Sequence, residues 1–232
     1  MEIKERHSWN LTYKEAVELQ NRLRKELCFS SVEGPVNFIA GADVSFSKKD
    51  NFFYAGITIL DREHMHVVES VVESDITTFP YIPGLLSFRE GPVLLKAFSQ
   101  IKTIPDVIFF DGQGIAHPRG IGLACHIGLI LGIPSLGCAK SRLYGYHKEV
   151  GEHFGDYQYL FHENDEVIGA VVRTKRSVKP LFISPGHNID LDSCIQLVLE
   201  CSRGYRIPEP VRRAHILVNR ARLSDKRHLT DD

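Results

Sequence analysis

The chain lacks a surplus of charge of either sign: 28 Lys and Arg stand against 29 Asp and Glu, leaving a net charge of −1 at pH 7. No overall positive field announces a polyanionic partner or a membrane surface, although local basic patches remain open. Apolar runs approaching the roughly 18 residues of a membrane span are absent, which excludes a transmembrane helix and any membrane partner. The opening Met1-Glu2-Ile3-Lys4-Glu5-Arg6 has no apolar leader segment, so a soluble, cytoplasmic protein is expected. Cysteine is scarce and odd in number: Cys28, Cys125, Cys138, Cys194 and Cys201 form no Cys-x-x-Cys pair. A disulfide scaffold is thereby excluded, and all five are read as reduced core residues. His64-x-His66 and Cys125-His126 lack a second pair at finger-like spacing, so zinc is not indicated, and they are read as surface and core positions respectively. Internal repeats, low-complexity tracts and linkers are missing too. One α/β domain over residues 1–232 is expected, with the last dozen residues frayed.

What is present is ordinary globular composition, 43% apolar and 25% charged. A chain this long buries roughly 70–75% of its unfolded surface, so the core needs no metal or disulfide staple. Apolar residues recur at helical spacing from Thr12 to Leu27. Val36 to Phe46 is apolar on both faces and reads as a mid-sheet strand with one charge, Asp43. Phe52 to Leu60 and His66 to Asp75 complete an antiparallel meander through a turn at 61–64. After the proline-braced loop at 79–84, a helix runs from Leu85 to Ile101, which Gly91-Pro92 must kink or restart. Val107 to Phe110 is a buried strand ending on Asp111, a helix runs from near Pro118 to Leu131, and a strand from Pro134 to Ala139 ends on Lys140. Strand, helix, strand in this order predicts a right-handed βαβ unit with Asp111 and Lys140 at one C-terminal edge. A hairpin (166–173, 178–183) and two helices (191–202, 208–219) close the chain.

A charge inside a buried strand costs several kcal/mol unless something compensates it. Asp43 is such a charge, and Asp111 ends a second strand of the same kind. Either alone reads as a turn or capping aspartate. Together, on neighbouring strands, they would raise each other's pKa unless a cation shares them, and a hard divalent ion fits oxygen ligands. Lys140 is either a solvated strand-end lysine or a phosphate contact. The run from Arg173 to Lys179, with Arg203, Arg206, Arg212 and Arg213, is either a solvated face or a set of backbone-phosphate contacts. Pro80-Tyr81-Ile82-Pro83 is either a plug over the core or a rigid wedge between bases. Gly112-x-Gly114 lacks the third glycine of a dinucleotide fingerprint, so those glycines instead admit a ligand close to the backbone.

Taken together, these segments resemble the endonuclease V family, deoxyinosine 3′-endonucleases of ribonuclease H-like fold. The resemblance runs from about Thr12 to Asn219 and rests on Gly41-Ala42-Asp43-Val44-Ser45-Phe46, Pro80-Tyr81-Ile82-Pro83-Gly84 with Phe88-Arg89-Glu90, Asp111-Gly112-Gln113-Gly114 with His117-Pro118-Arg119, and Gly137-Cys138-Ala139-Lys140-Ser141. It implies a mixed central sheet flanked by helices, a metal held by Asp43, Glu90 and Asp111, and His215 completing the site. The metal is expected to be Mg²⁺, with Mn²⁺ as a substitute. Lys140 is expected to steady charge on the phosphate, and His215 to orient the water or take its proton. The resemblance further implies a wedge formed by Pro80, Tyr81, Ile82 and Pro83, and a nick at the second phosphodiester bond 3′ to inosine in DNA or RNA, made by a monomer. Hypoxanthine accepts at O6, donates at N1 and lacks guanine's 2-amino group. A tight pocket, which the resemblance assigns to Leu86, Gly112, Gly114 and His117, would exploit those differences.

Two rivals remain. An actin-like phosphotransferase also begins with an Asp-bearing meander but needs two such domains, and 232 residues supply one. A binding module that keeps the fold without cutting is opposed by the intact Asp43, Glu90 and Asp111.

Overall fold

The computed structural model describes every residue except 2, 4, 48–50 and 226–232. In chain order its elements are α1 (Tyr13–Leu23), β1 (Phe38–Phe46), β2 (Phe52–Asp61), β3 (Val67–Ile76), α2 (Leu86–Gln100), β4 (Val107–Phe110), α3 (Leu123–Leu131), β5 (Ser135–Ala139), β6 (Tyr157–Phe161), β7 (Val167–Val172), β8 (Leu181–His187), α4 (Leu191–Glu200) and α5 (Glu209–Ser224). Among the described residues, all eight strands join one sheet in the order β3-β2-β1-β4-β5-β8-β7-β6. The expected meander is there, β1 antiparallel to β2 and β2 to β3. So is the parallel centre, β1 beside β4 and β4 beside β5.

Each face of the sheet has its own core. Ile39, Phe109, Leu136 and Ile183 pack beneath α4 and α5 through Cys194, Val198 and Val211. Ala40, Ala42, Ile108 and Phe110 face the other way, onto Val93, Leu94 and Phe98 of α2 and Ala124 and Ile127 of α3. Alternation along β1 therefore assigns Asp43 to the α5 face, with Ile39 and Gly41. α5 lies unusually close there. A Cβ at Gly41 would stand 1.9 Å from the carbonyl oxygen of Pro210, and one at Gly56 on the neighbouring strand 3.0 Å from the Cβ of Val218.

Several boundaries differ from the sequence reading. α1 begins as expected, with Thr12 and Glu15 in a reciprocal capping box, but gives way to a short 3₁₀ turn at Arg24–Glu26. α2 runs through Pro92 without restarting, because Phe88, Val93, Leu94 and Phe98 bury it on both sides of the break. α3 starts at Leu123, five residues after Pro118, since Gly122 N–H donates to Gly114 O and Ala124 N–H to Gln113 O, tying the segment back as a turn. β6 was not anticipated: it is a five-residue edge strand with only Leu160 buried, too short and exposed to signal itself by periodicity. α5 continues to Ser224, where Arg222 Nε donates to Ser45 Oγ at 2.8 Å. Of the dozen terminal residues expected to fray, 226–232 lie outside the described residues, and 221–224 are helical. Cys125, Cys138, Cys194 and Cys201 are buried as read, whereas Cys28 is exposed. His126 is fully buried and His64 exposed, also as read. No described helix is long and apolar enough to cross a membrane.

Candidate active site

The parallel ladder ends by setting two carboxylates side by side. Ala42 pairs with Phe110 across β1 and β4, and Asp111 N–H then donates to Ala42 O at 3.0 Å. Asp43 and Asp111 are the next residues on their strands. Val44 N–H holds Asp43 Oδ1 at 2.8 Å, which leaves Oδ2 for the helix above. His215 Nδ1 lies 2.7 Å from that oxygen. A carboxylate only accepts, so His215 carries its proton on Nδ1. Asp43, Asp111 and His215 each offer a ligand atom within 4.8 Å of the others, and the group passes from buried Asp43 to exposed His215. Burial, then the charge of Asp111, pushes Asp43 up to about 6, with His215 and Lys140 pulling the other way.

Lys140 follows β5 and its ammonium meets Asp111 Oδ2, as the βαβ reading predicts. Its backbone is held from behind. Arg206 Nη2 donates to Lys140 O at 2.7 Å and to Pro180 O at 3.0 Å, and Gln113 Nε2 donates to Ser141 O at 3.1 Å. Glu90 comes from α2, in the layer across the sheet, and stands outside the three-residue cluster. Burial, followed by the charges of Asp43 and Asp111, pushes its carboxyl up to about 8. Arg89 beside it is seated 5.0 Å over the ring of Phe46 and 4.9 Å over that of Phe53, which fixes this turn of α2 onto the meander.

Asn219, which sequence reasoning missed, stands one turn beyond His215. Its Nδ2 donates to His215 O at 2.8 Å, while its Oδ1 accepts from Ser45 Oγ at 3.0 Å. The helical i, i+4 spacing to His215 was a signal for it. Part of the predicted basic surface proves to be internal wiring. Arg173 donates to the carbonyls of Gly151 and Val150, and Arg212 and Arg213 both pair with buried Glu209.

The Pro80-Tyr81-Ile82-Pro83 loop divides its residues between core and solvent. Ile82 packs against the core of α1, Phe79 and Phe88, whereas Tyr81 is 69% exposed. Between this loop and the turn after Asp111 lies a pocket of about 130 Å³, lined in part by Tyr81, Leu86, Gln113, His117 and Leu143. Of the four residues assigned to a base pocket, Leu86 and His117 line it. Gly112 is half-buried beside Leu123, with 3.4 Å of clearance for a Cβ. Gly114 faces away: its N–H donates to Ser184 Oγ at 2.8 Å, and a Cβ there would stand 2.0 Å from Pro185 O. His117 spends both ring nitrogens on backbone, Nδ1 accepting from Arg119 N–H at 3.1 Å and Nε2 donating to Gly84 O at 3.0 Å.

The profile of the endonuclease V family matches residues 17–216, a span that holds every residue of this cluster and the loop beside it. An endonuclease V of Kosmotoga olearia is 45% identical over 229 residues, 99% of each chain. The crystal structure of endonuclease V from Bacillus subtilis superposes with a TM-score of 0.93 at 30% identity, covering 98% of this chain and 100% of that one. Endonuclease V from Ciona intestinalis, solved with a 24mer DNA containing an inosine followed by a ribo-adenosine, superposes with a TM-score of 0.81 at 26% identity, covering 90% and 97%. An acidic cluster at the carboxyl edge of two parallel strands, on a sheet of this order and within this matched span, makes the chain an endonuclease of the endonuclease V family.

Proposed function

We propose that this chain is a DNA repair endonuclease for deoxyinosine, the deamination product of deoxyadenosine. It hydrolyses the second phosphodiester bond 3′ to the lesion and leaves a 3′-hydroxyl and a 5′-phosphate. The observation that carries this reading is the convergence of Asp43, Asp111 and His215 beside Lys140. The inosine-bearing DNA held by the Ciona intestinalis relative supports the choice of lesion.

The donor set fits a divalent cation: Asp43, Asp111 and nearby Glu90 bring three carboxylates against one lysine, an excess of negative charge that burial makes costly. Oxygen donors suit Mg²⁺, or Mn²⁺ in its place. Asp43 and Asp111 would hold it, with Glu90 as the third carboxylate. When bound, such an ion supplies Lewis acidity toward the phosphate and the attacking water. The chain's own groups do the rest. Lys140 offsets negative charge growing on the phosphate oxygens. Asp43 fixes His215 as the Nδ1–H tautomer, which leaves Nε2, 3.3 Å from Asn219 Nδ2, unprotonated as the acceptor for the water's proton. Exposed Tyr81 enters the stack, and the base turns into the pocket lined by Leu86. There a group that pairs with N1–H and O6 rejects adenine, and a wall at C2 rejects guanine.

The deciding experiment is cleavage of strands carrying a single inosine, in DNA and in RNA, with and without Mg²⁺, with the new ends mapped. A cation-dependent nick directly after the nucleotide 3′ to inosine, at the second phosphodiester bond, is expected. Release of free hypoxanthine, or cutting that ignores the cation, overturns the reading.

A further inference from the structure

Gly84, at the root of the Pro80–Pro83 loop, presents a carbonyl that takes three donors at once. Gln20 Nε2 reaches it at 2.9 Å, His117 Nε2 at 3.0 Å and Arg119 Nη2 at 2.6 Å. Arg119 Nε also donates to Gln20 Oε1 at 2.5 Å, which closes a ring of Gln20, Arg119 and Gly84. His117 belongs to it by necessity, because Nδ1 already accepts from Arg119 N–H and the remaining nitrogen must therefore donate. Gln20 is 1% exposed and His117 4%, so the network is largely shut off from water. In such surroundings hydrogen bonds are strong and an unmade one is costly.

A buried carbonyl on a mere connection needs one partner. Three, one of them cationic, hold this loop root far more firmly than satisfaction demands. The clamp draws its members from two places: Gln20 from α1, and His117 with Arg119 from the turn that follows Asp111. Above it, Leu85 N–H closes on Ile82 O at 3.0 Å, Ile82 packs into the core, and Tyr81 projects between exposed Pro80 and the exposed ring of Pro83. Gly84 has φ +79°, and a Cβ there would stand 2.6 Å from Arg119 Nη2, so the clamp also dictates glycine at this position.

We propose that Gln20, His117 and Arg119 are positioning residues that stiffen the loop carrying Tyr81, so that it opens a duplex beside the lesion without yielding itself. They act on strand separation and not on phosphate hydrolysis. Prying a base step apart costs a few kcal/mol, and a loop free to deflect would bend before the stack did. This inference rests on the wedge reading above.

The test compares single-turnover nicking of one inosine-bearing strand, alone and in duplex, for Gln20→Leu, Arg119→Lys and, as reference, Tyr81→Ala. A second readout is the fluorescence of 2-aminopurine placed beside the inosine in duplex, with Ca²⁺ in place of Mg²⁺ to withhold cutting. Both clamp variants should lower the duplex-to-single-strand rate ratio about tenfold, as Tyr81→Ala does, and should blunt the 2-aminopurine rise. Circular dichroism shows whether each variant is folded, the rate ratio cancels any effect of Gln20 on the pocket it also lines, and Arg119→Lys, at a half-buried position and keeping its charge, guards against loss of the fold in Gln20→Leu. If Tyr81→Ala lowers the ratio and the clamp variants do not, the clamp proposal is wrong and the wedge stands. If Tyr81→Ala leaves the ratio unchanged, the wedge reading fails and the clamp falls with it.

Discussion

His215 Nδ1 meets Asp43 Oδ2 at 2.7 Å, joining the last helix to the first strand across 172 positions of sequence. The contact depends on how closely α5 can lie on β1, which Gly41 and Gly56 permit. Gly41→Ala should therefore act twice. A methyl group driven against Pro210 O should destabilise the fold by about 3 kcal/mol. It should also lift His215 away from Asp43 and lower nicking beyond what the lost stability explains. Urea unfolding, with nicking measured at a temperature where the variant stays folded, checks both.

Asp43→Ala and Asp111→Ala should each reduce cation-dependent nicking by roughly a thousandfold or more, a loss of about 4 kcal/mol of transition-state stabilisation. Circular dichroism should show an intact fold. If neither variant abolishes nicking, the site assignment is wrong.

The acidic cluster should also be visible in stability. A carboxyl whose pKa is raised by folding adds stability that is present below its unfolded pKa and lost as pH rises through the folded one. With Asp43 near 6 and Glu90 near 8, these carboxyls work against the fold as pH rises from about 4 to 8, and the protein in chelator should show the net loss between about pH 6.5 and pH 8. Glu90→Gln should flatten that decline and raise the melting temperature at pH 8. Mg²⁺ should stabilise the natural protein by about 2.7 kcal/mol at a hundredfold excess over Kd, raising its melting temperature, and should leave that of Asp111→Asn unchanged.

Histidines produce the opposite limb. Burial, with the neighbouring His7, holds His126 down to about 3, and burial with Arg119 holds His117 down to about 4. A histidine depressed in the fold contributes stability that is present above its unfolded pKa of about 6.5 and lost as pH falls below it, by up to about 1.4 kcal/mol per pH unit. Between pH 6.5 and pH 4 this loss runs against the carboxyl gain, so it is read from denaturant midpoints as the difference between natural protein and variant. His126→Gln, which has no such proton to gain, should lose less over that range.

A Cβ at Gly112 would make ordinary contact with its surroundings, its nearest neighbour beyond the adjoining residues being Leu123 Cδ2 at 3.4 Å. Gly112→Val should thus fold normally, yet occlude the backbone that a turned-out base would approach. Affinity for an inosine oligonucleotide in Ca²⁺ should drop about tenfold, with binding to undamaged DNA unchanged. Equal affinities would remove Gly112 from the base site.

Much of the site was legible because its chemistry violates local expectation. Asp43 inside an apolar strand, Asp111 closing another and a doubly proline-braced Tyr81 are each odd for a plain core. Other parts were silent for reasons equally local. Gln20 sits in a helix pattern where glutamine is unremarkable, and its partners come from the turn at 117–119 and from Gly84 at the root of the Pro80–Pro83 loop. The assignment of Gly114 to the base pocket fails because a glycine between two strands and a helix serves close packing as readily as ligand approach, and here Pro185 O takes the space.

Apolar runs and their punctuation by themselves determined the meander, the parallel centre and the ending of β4 and β5 on Asp111 and Lys140, since strand burial and turn chemistry act over a few residues. Tertiary structure alone decided that α5 brings His215 onto Asp43, that β6 extends the sheet, and that Gln20 of α1 bonds the Gly84 carbonyl after the Pro80–Pro83 loop. Those outcomes hinge on backbone surfaces meeting at distances set by the whole packed core, which no short stretch of sequence encodes.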